Sequence, residues 1–359
     1  MKHCAFGRSV VHYQSIAKTK CNSWVRNLAD MNYFRIVLLF SVLVSALPTP
    51  AQNESCLRRI VPVTVMDSAG RPIFGFAPAD FQAKFRGKPV KILSIIPDDR
   101  PRRVVILLDT SGSMSGEPRG HKWEIARAIA THLVDAHLAN TSLALLFFSD
   151  QVHEQIGFSD GTPTLAKRLL DISANPDYVK KNVLGKTALY DAVLAALHLL
   201  DAPGFSDSIY LISDGGDNKS RSNQRDVRRA LVSSGVRLHA SVLGPTDDRV
   251  PEDLLGLSDI TEMTTATGGV VLGPVGRKRT PAHVMSFDLN QEERQALSIG
   301  LQFLEADILS NVRMALELPE APKKWGEWLL ELSREKQKQF KDTSIAYPRE
   351  LAPSSALPN

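Results

Sequence analysis

The chain has 359 residues, 43% of them hydrophobic and 23% charged, the composition of a folded protein with more length than one ordinary core needs. Its formal charge of +4 is unevenly placed, because residues 1–51 hold Lys2, Arg8, Lys18, Lys20, Arg26 and Arg35 against Asp30 alone. The remainder is near neutral, which removes the basic field that nucleic-acid binding requires.

Met31-Asn-Tyr-Phe-Arg35 leads into the apolar run Ile36 to Leu47 and then Pro48-Thr-Pro-Ala51. A basic start, a short apolar stretch and a small residue at the exit form a secretory signal pattern. A helix of that length rises only ~18 Å, short of the ~30 Å hydrocarbon core. A secreted or periplasmic, cell-envelope location is therefore expected, with an uncleaved inner-membrane anchor at 36–47, or a buried core helix, as the alternatives. Met31 stands where a start codon would, and residues 1–30 read as a misassigned upstream extension. Cys4 and Cys21 precede the signal, so Cys56 is left without an internal disulfide partner. It follows Asn53-Glu-Ser, polar where a lipoprotein cleavage site wants apolar and small residues, and reads as an unpaired linker thiol.

Residues 57–98 alternate short apolar runs with turn residues. Val61-Pro-Val-Thr-Val65, the segment from Asp80 to Gly87, and Val90 to Ile95 carry strand patterning, and Asp67-Ser-Ala-Gly70 supplies a turn. This predicts a small β module that leans on its neighbour, because so small a core is marginal alone.

Over 103–275 the pattern becomes strand–helix alternation. Val104–Leu108, Leu143–Phe148, Ile209–Ile212, Leu238–Leu243 and Val270–Leu272 are apolar nearly throughout, as strands buried on both faces of a parallel sheet are. Between them, Lys122–Leu138 places Trp123, Ile125, Ile129, Leu133 and Val134 near one helical face, and Ala188–Leu200 and Gln224–Val232 behave similarly. The expected fold class is α/β, a doubly wound, mostly parallel sheet. Residues 288–352 predict a C-terminal module: a helix over Asn290–Ser310 with Leu297, Ile299, Leu301, Leu304 and Ile308 apolar, then short strands at Val312–Leu318, Trp328–Leu332 and Ser344–Tyr347. Trp325 and Trp328 are expected to cover a module interface, with a recognition surface as the alternative. Residues 353–359 are expected to be a frayed, disordered tail.

The first doubly wound strand runs into Asp109-Thr-Ser-Gly-Ser113, which puts one carboxylate and two hydroxyls on one tight loop. Ligand sites of such sheets form outside the carboxyl ends of the strands. Thr187, after Gly185-Lys186, begins a helix, where it can cap as well as ligate. Asp214 directly follows the strand Ile209–Ser213. Asp109, Ser111, Ser113, Thr187 and Asp214 offer only hard oxygens, which suits Mg²⁺ first, with Mn²⁺ or Ca²⁺ as alternatives, and not zinc. Only two of the five carry charge, so a bound cation stays electron-poor and can accept a further ligand.

This set, with Thr187 inside Gly-Lys-Thr-Ala-Leu-Tyr-Asp191, resembles the metal-ion-dependent adhesion site of von Willebrand factor type A (VWFA) domains. The resemblance covers about 170 residues and all five ligand positions. It implies that the serines, and often the threonine, hold the metal directly while the aspartates often act through water. It also implies protein–protein adhesion through a partner Glu or Asp carboxylate. The flanks, Val61 to Pro72 before Ala79-Asp-Phe-Gln and the closing Tyr347-Pro-Arg-Glu350, are similar to a secreted bacterial VWFA-related group first defined in Acidobacteria.

Other chemistries lack their residues. Gly185-Lys-Thr187 echoes a phosphate-binding loop, but position 180 is Lys where that loop needs Gly, so no nucleotide is expected. Met114 occupies the centre of Gly112-Ser-Met-Ser-Gly116, which is therefore not a nucleophile elbow. His132 and His137 stand five apart, and no His-Glu-x-x-His or Cys-x-x-Cys occurs; His153, His198 and His239 read as packed or surface residues. Asp217 reads as a solvated loop charge, and Asp191 as a structural carboxylate in the first turn of a helix. No enzyme is expected. The expected function is exported, metal-dependent binding of an acidic protein partner, with membrane contact only if the leader is uncleaved. The alternative is a structural, scaffolding envelope protein in which the metal only stabilises the domain.

Overall fold

The computed structural model describes residues 57–115, 122–244, 251–275, 278–279, 285–286 and 289–356. The leader, the candidate start at Met31, the apolar run 36–47 and the thiols Cys4, Cys21 and Cys56 lie outside the described residues. Among the described residues, no helix is long and apolar enough to cross a membrane.

Strands β1 (Arg58–Met66), β2 (Phe81–Phe85) and β3 (Lys88–Pro97) open the chain. The doubly wound region follows with β4 (Arg102–Asp109), helix α1 (Lys122–Asp135), β5 (Thr141–Phe148), β6 (Val152–Ile156), α2 (Thr162–Ser173), α3 (Tyr178–Asn182), α4 (Leu189–Leu199), β7 (Ser208–Ser213), α5 (Gln224–Ser234), β8 (Arg237–Leu243), α6 (Pro251–Thr267) and β9 (Val271–Val275). Its sheet runs β6-β5-β4-β7-β8-β9, parallel throughout except for β6, which returns antiparallel along β5. All five predicted strands are present. β6 escaped the sequence reading because an edge strand need not be apolar, and Val-His-Glu-Gln-Ile alternates in exposure with only Ile156 fully buried.

The apolar runs divide by parity, as a pleated strand requires. Val104, Ile106 and Leu108 pack against one helical layer that includes Trp123 and Ile129 of α1 and Leu165 and Leu169 of α2. Val105 and Leu107 face the other, with Leu189 and Val193 of α4, Val227 and Leu231 of α5, and Met263 of α6. β4 is thus covered on both sides, and its polar residues stand at its ends.

A short pair, β10 (Lys278–Arg279) and β11 (Met285–Ser286), precedes α7 (Gln291–Leu309), β12 (Val312–Glu317), β13 (Gly326–Leu332), α8 (Arg334–Gln339), β14 (Ser344–Ala346) and β15 (Glu350–Leu351). A capping box starts α7: Asn290 Oδ1 accepts from the Glu293 amide at 2.8 Å, and Glu293 returns the bond to the Asn290 amide at 2.7 Å. Leu301, Leu304 and Ile308 join the same apolar layer as Ile106, whereas Ile299, off that face, is exposed. The helix expected in a separate C-terminal module is therefore part of the central core.

The flanking strands also depart from expectation. They form one antiparallel sheet, β14-β1-β12-β3-β2-β13-β15, in which β12 lies between β1 and β3 and β13 pairs with β2. Val63, Phe85, Met314, Leu316, Trp328 and Tyr347 make one core from the segments before and after the doubly wound region. Neither segment has strands enough to close a core, so interleaving them is the physical solution. Trp328 is buried there, with its edge against Tyr347. The expected frayed tail is also corrected: Pro353 is buried, the Ser354 amide donates to the Pro322 carbonyl at 3.0 Å, and Arg59 reaches Ser354 Oγ at 3.0 Å. Residues 357–359 lie outside the described residues.

One buried ion pair ties α7 to the parallel sheet. Arg237, at the start of β8, meets Asp307 Oδ2 at 2.9 Å and the Asp307 carbonyl at 3.1 Å, with both side chains essentially inaccessible. Burial raises the Asp307 pKa while Arg237 pulls it back. Beside them His239 accepts from the Val270 amide through Nδ1 and is held neutral by burial and by Arg237, as a packed histidine rather than a ligand. Replacing Asp307 with Ala leaves the guanidinium buried and unpaired. It is expected to cost about 3–5 kcal/mol in urea-denaturation stability, while Asp171→Ala, which breaks only an exposed pair with Lys167, leaves the midpoint unchanged.

Candidate metal centre

Strand β4 delivers Asp109 to the carboxyl end of the sheet with no solvent exposure. Its two oxygens are both engaged: the Ser111 amide donates to Oδ1 at 2.8 Å, and the Ser213 hydroxyl, at the end of neighbouring β7, donates to Oδ2 at 2.6 Å. Thr110 is pinned by its amide and hydroxyl to the Phe148 carbonyl at the end of β5. Because that hydroxyl proton is spent, His153 Nε2, 2.8 Å away, is the donor to Thr110 Oγ1. Partial burial lowers the His153 pKa, against the opposing pull of Glu154 and Asp150.

A one-turn 3₁₀ helix over Gly112–Ser115, anchored by buried Met114, turns the chain back and presents both serines. Ser111 Oγ and Ser113 Oγ lie 3.1 Å apart, and Ser113 Oγ donates to Asp214 Oδ1 at 3.0 Å. Asp214 follows β7, where Gly215 has φ +114, a backbone that favours glycine. That loop packs so tightly on α6 that a Cβ on Gly256 would lie 2.4 Å from the Gly215 carbonyl oxygen.

Thr187 arrives on a third loop bonded to the other two. The Gly112 amide donates to the Gly185 carbonyl at 3.1 Å, and the Ala188 amide to the Ser149 carbonyl at 2.7 Å. Asn218, four residues beyond Asp214, receives the Thr187 amide on Oδ1 at 2.9 Å and donates its own amide to the Thr187 carbonyl at 3.0 Å. The five predicted positions therefore converge. Hydrogen bonds join Asp109, Ser111, Ser113 and Asp214, through Ser213 where needed, and the Thr187 loop hangs on the same cluster through Gly112 and Asn218.

Two sequence expectations change here. Thr187 is not a helix cap, because α4 begins at Leu189 and its first amides go elsewhere: Tyr190 to Asp217 Oδ2 at 3.2 Å and Asp191 to Ser220 Oγ at 3.1 Å. Asp217 is accordingly not a solvated charge; it holds the helix start and its own loop. Asp191 is structural as expected, receiving the Arg221 and Ser222 amides at 2.9 and 3.1 Å. Sequence reading missed Ser213 and Asn218 as supports, although both stand within four residues of Asp214. It also missed Lys122, whose Nζ donates to Asp214 Oδ2 at 2.6 Å; nothing in the local pattern marks that lysine.

The electrostatics follow from burial. Asp109 is pushed up to about 7, first by burial and then by the negative charge of Asp214, with Ser213 and Ser111 working against the rise. Two carboxylates this close, one of them fully buried, make a place where a cation is stabilised. The donors fit a hard divalent ion: hydroxyl and carboxylate oxygens on three converging loops, and among the described residues no cluster of three or more His, Cys, Asp or Glu.

Residues 104–216 match the family model described as von Willebrand factor type A domain. The chain carries a von Willebrand factor type A domain. The match spans the region from β4 through Asp214 and its loop, so it includes all five converging positions. No curated protein matches the chain. Among solved structures, BatB from Bacteroides thetaiotaomicron is similar at 18% identity and TM-score 0.40, over 57% of this chain and 98% of that one. A von Willebrand factor type A protein from Catenulispora acidiphila shares 12% identity at TM-score 0.39, over 81% of this chain and 73% of its own. Proximal thread matrix protein 1 of the mussel byssus, solved with a zinc-occupied MIDAS motif, shares 15% identity at TM-score 0.41, over 62% and 50%.

Asp191 gives the VWFA domain a measurable acid sensitivity. Burial acts to raise its pKa, but the Arg221 and Ser222 bonds outweigh it and hold the group below the ordinary value. A depressed carboxylate contributes stability above its unfolded pKa of about 3.9 and loses it as pH falls through the folded value. Asp191→Asn is expected to cost roughly 1 kcal/mol at neutral pH, discounted for partial exposure. Thermal melts should show that gap closing below about pH 4.

Proposed function

We propose that this protein is an exported binding protein whose VWFA domain holds a divalent cation on Asp109, Ser111, Ser113, Thr187 and Asp214 and uses it to capture an acidic group of a protein partner. The observation that carries the reading is the hydrogen-bonded run from Ser111 Oγ through Ser113 Oγ to Asp214, closed behind by the buried Asp109. The hydroxyls of Ser111, Ser113 and Thr187 would hold the ion, and the two carboxylates would supply the charge. Mg²⁺ suits this all-oxygen, mostly neutral set best, with Mn²⁺ or Ca²⁺ next. A cation held there would supply a positive centre to which a partner Glu or Asp carboxylate would be drawn.

Binding rather than catalysis is supported by the commitments of the neighbouring groups. Thr110 and His153 satisfy each other and the Phe148 carbonyl, and the site hydroxyls bond to one another and to Asp214. No activated nucleophile and base pair stands among these residues. Export rests on the basic start and apolar run of residues 31–51.

Mg²⁺ is expected to raise the melting temperature of the wild-type chain, by linkage to a site formed only in the folded state. Ser113→Ala should weaken Mg²⁺ binding by roughly tenfold or more. Asp109→Ala should abolish capture of partners from an envelope extract, and a chelator should do the same to wild type. Recovery of the same partners with chelator present would exclude the metal bridge and leave the scaffolding role.

A further inference from the structure

Lys122 places a positive charge inside the candidate metal centre. It is the first residue of α1, and its Nζ lies 2.6 Å from Asp214 Oδ2, with side-chain exposures of 14% and 9%. A lysine at the start of a 14-residue helix runs against the helix dipole. An ammonium so little exposed also gives up most of its hydration. The charge of Asp214 offsets part of both costs at this position. The other Asp214 oxygen already accepts from Ser113, so the carboxylate is divided between the ammonium and one of the candidate ligands.

We infer that Lys122 is a tethered competitor for the divalent cation, holding Asp214 when no metal is bound and setting how tightly the metal is held. This rests on the metal-centre reading proposed above. A divalent ion at Ser113 and Asp214 and an ammonium on the same carboxylate are like charges at short range, in a site partly screened from water. Each therefore weakens the binding of the other, and the coupling is reciprocal. An arriving partner carboxylate adds negative charge and relieves that repulsion. Metal and partner then reinforce each other, and the lysine keeps the centre from retaining metal firmly on its own.

The test is Mg²⁺ titration calorimetry and thermal unfolding, with and without saturating Mg²⁺, on the full chain of wild type, Lys122→Met and Lys122→Arg. Lys122→Met should bind Mg²⁺ on the order of tenfold tighter than wild type, and Lys122→Arg, which keeps the charge, should stay near wild type. Metal-free Lys122→Met should melt below wild type, because Asp214 loses its counter-ion, and saturating Mg²⁺ should close that gap. If Lys122 only anchors the helix, both forms melt lower by the same amount and the affinity does not rise; that result overturns the inference and leaves the metal centre standing. Mg²⁺ binding by Lys122→Met but not by wild type would also support it, the lysine then replacing the metal outright. If none of the three proteins takes Mg²⁺, Mn²⁺ or Ca²⁺, the metal reading falls and the inference with it.

Discussion

A carboxylate with no solvent exposure must be met by donors or by positive charge, and the local structure around Asp109 follows from that demand. Its placement is set by β4, a strand so thoroughly covered on both faces that its polar terminal residue has nowhere to go but the sheet's end. Ser213 and the Ser111 amide meet its oxygens, and the geometry of those two bonds fixes where the Ser111–Ser113 turn and the Asp214 loop must lie. A Cβ on Gly112 would lie 3.2 Å from the Gly185 carbonyl oxygen, and Gly185 and Gly215 turn their loops at φ +93 and +114, conformations that favour glycine. Two carboxylates, Asp109 and Asp214, thus stand together at the carboxyl end of the parallel sheet, with Lys122 Nζ on one of them.

The second sheet is built from strands before and after the doubly wound region, and α7, which leads into β12, packs directly on the parallel sheet through Leu301, Leu304 and Ile308. Arg237 and Asp307 join α7 to β8 at that contact, with both side chains buried. The described segments before and after the region that matches the VWFA domain are therefore part of the same fold, rather than appended to it.

Much of this was legible in the sequence, for physical reasons. Strands buried on both faces announce themselves as apolar runs, and Asp109, Ser111, Ser113, Thr187 and Asp214 stood at element ends where the doubly wound topology puts ligands. Features set by long-range pairing were not legible. The β1–β12 and β2–β13 partnerships join segments more than 240 residues apart, and nothing in the period-2 pattern of Val61–Val65 says which strand it will meet. β6 was missed because its exposed face carries His153 and Gln155. Lys122 and Asp217 were missed because a charge looks the same in sequence whether it faces water or a carboxylate, and only the packed loops decide.

If the loops that carry Asp109, Thr187 and Asp214 form one cation site, anomalous X-ray diffraction from crystals grown with Mn²⁺ reveals it most directly. A single strong peak bounded by the oxygens of Ser111, Ser113 and Thr187, with Asp109 and Asp214 beside it, is the predicted result. A Mn²⁺-soaked crystal with no peak there, or with its only peaks on other carboxylates of the surface, would contradict it.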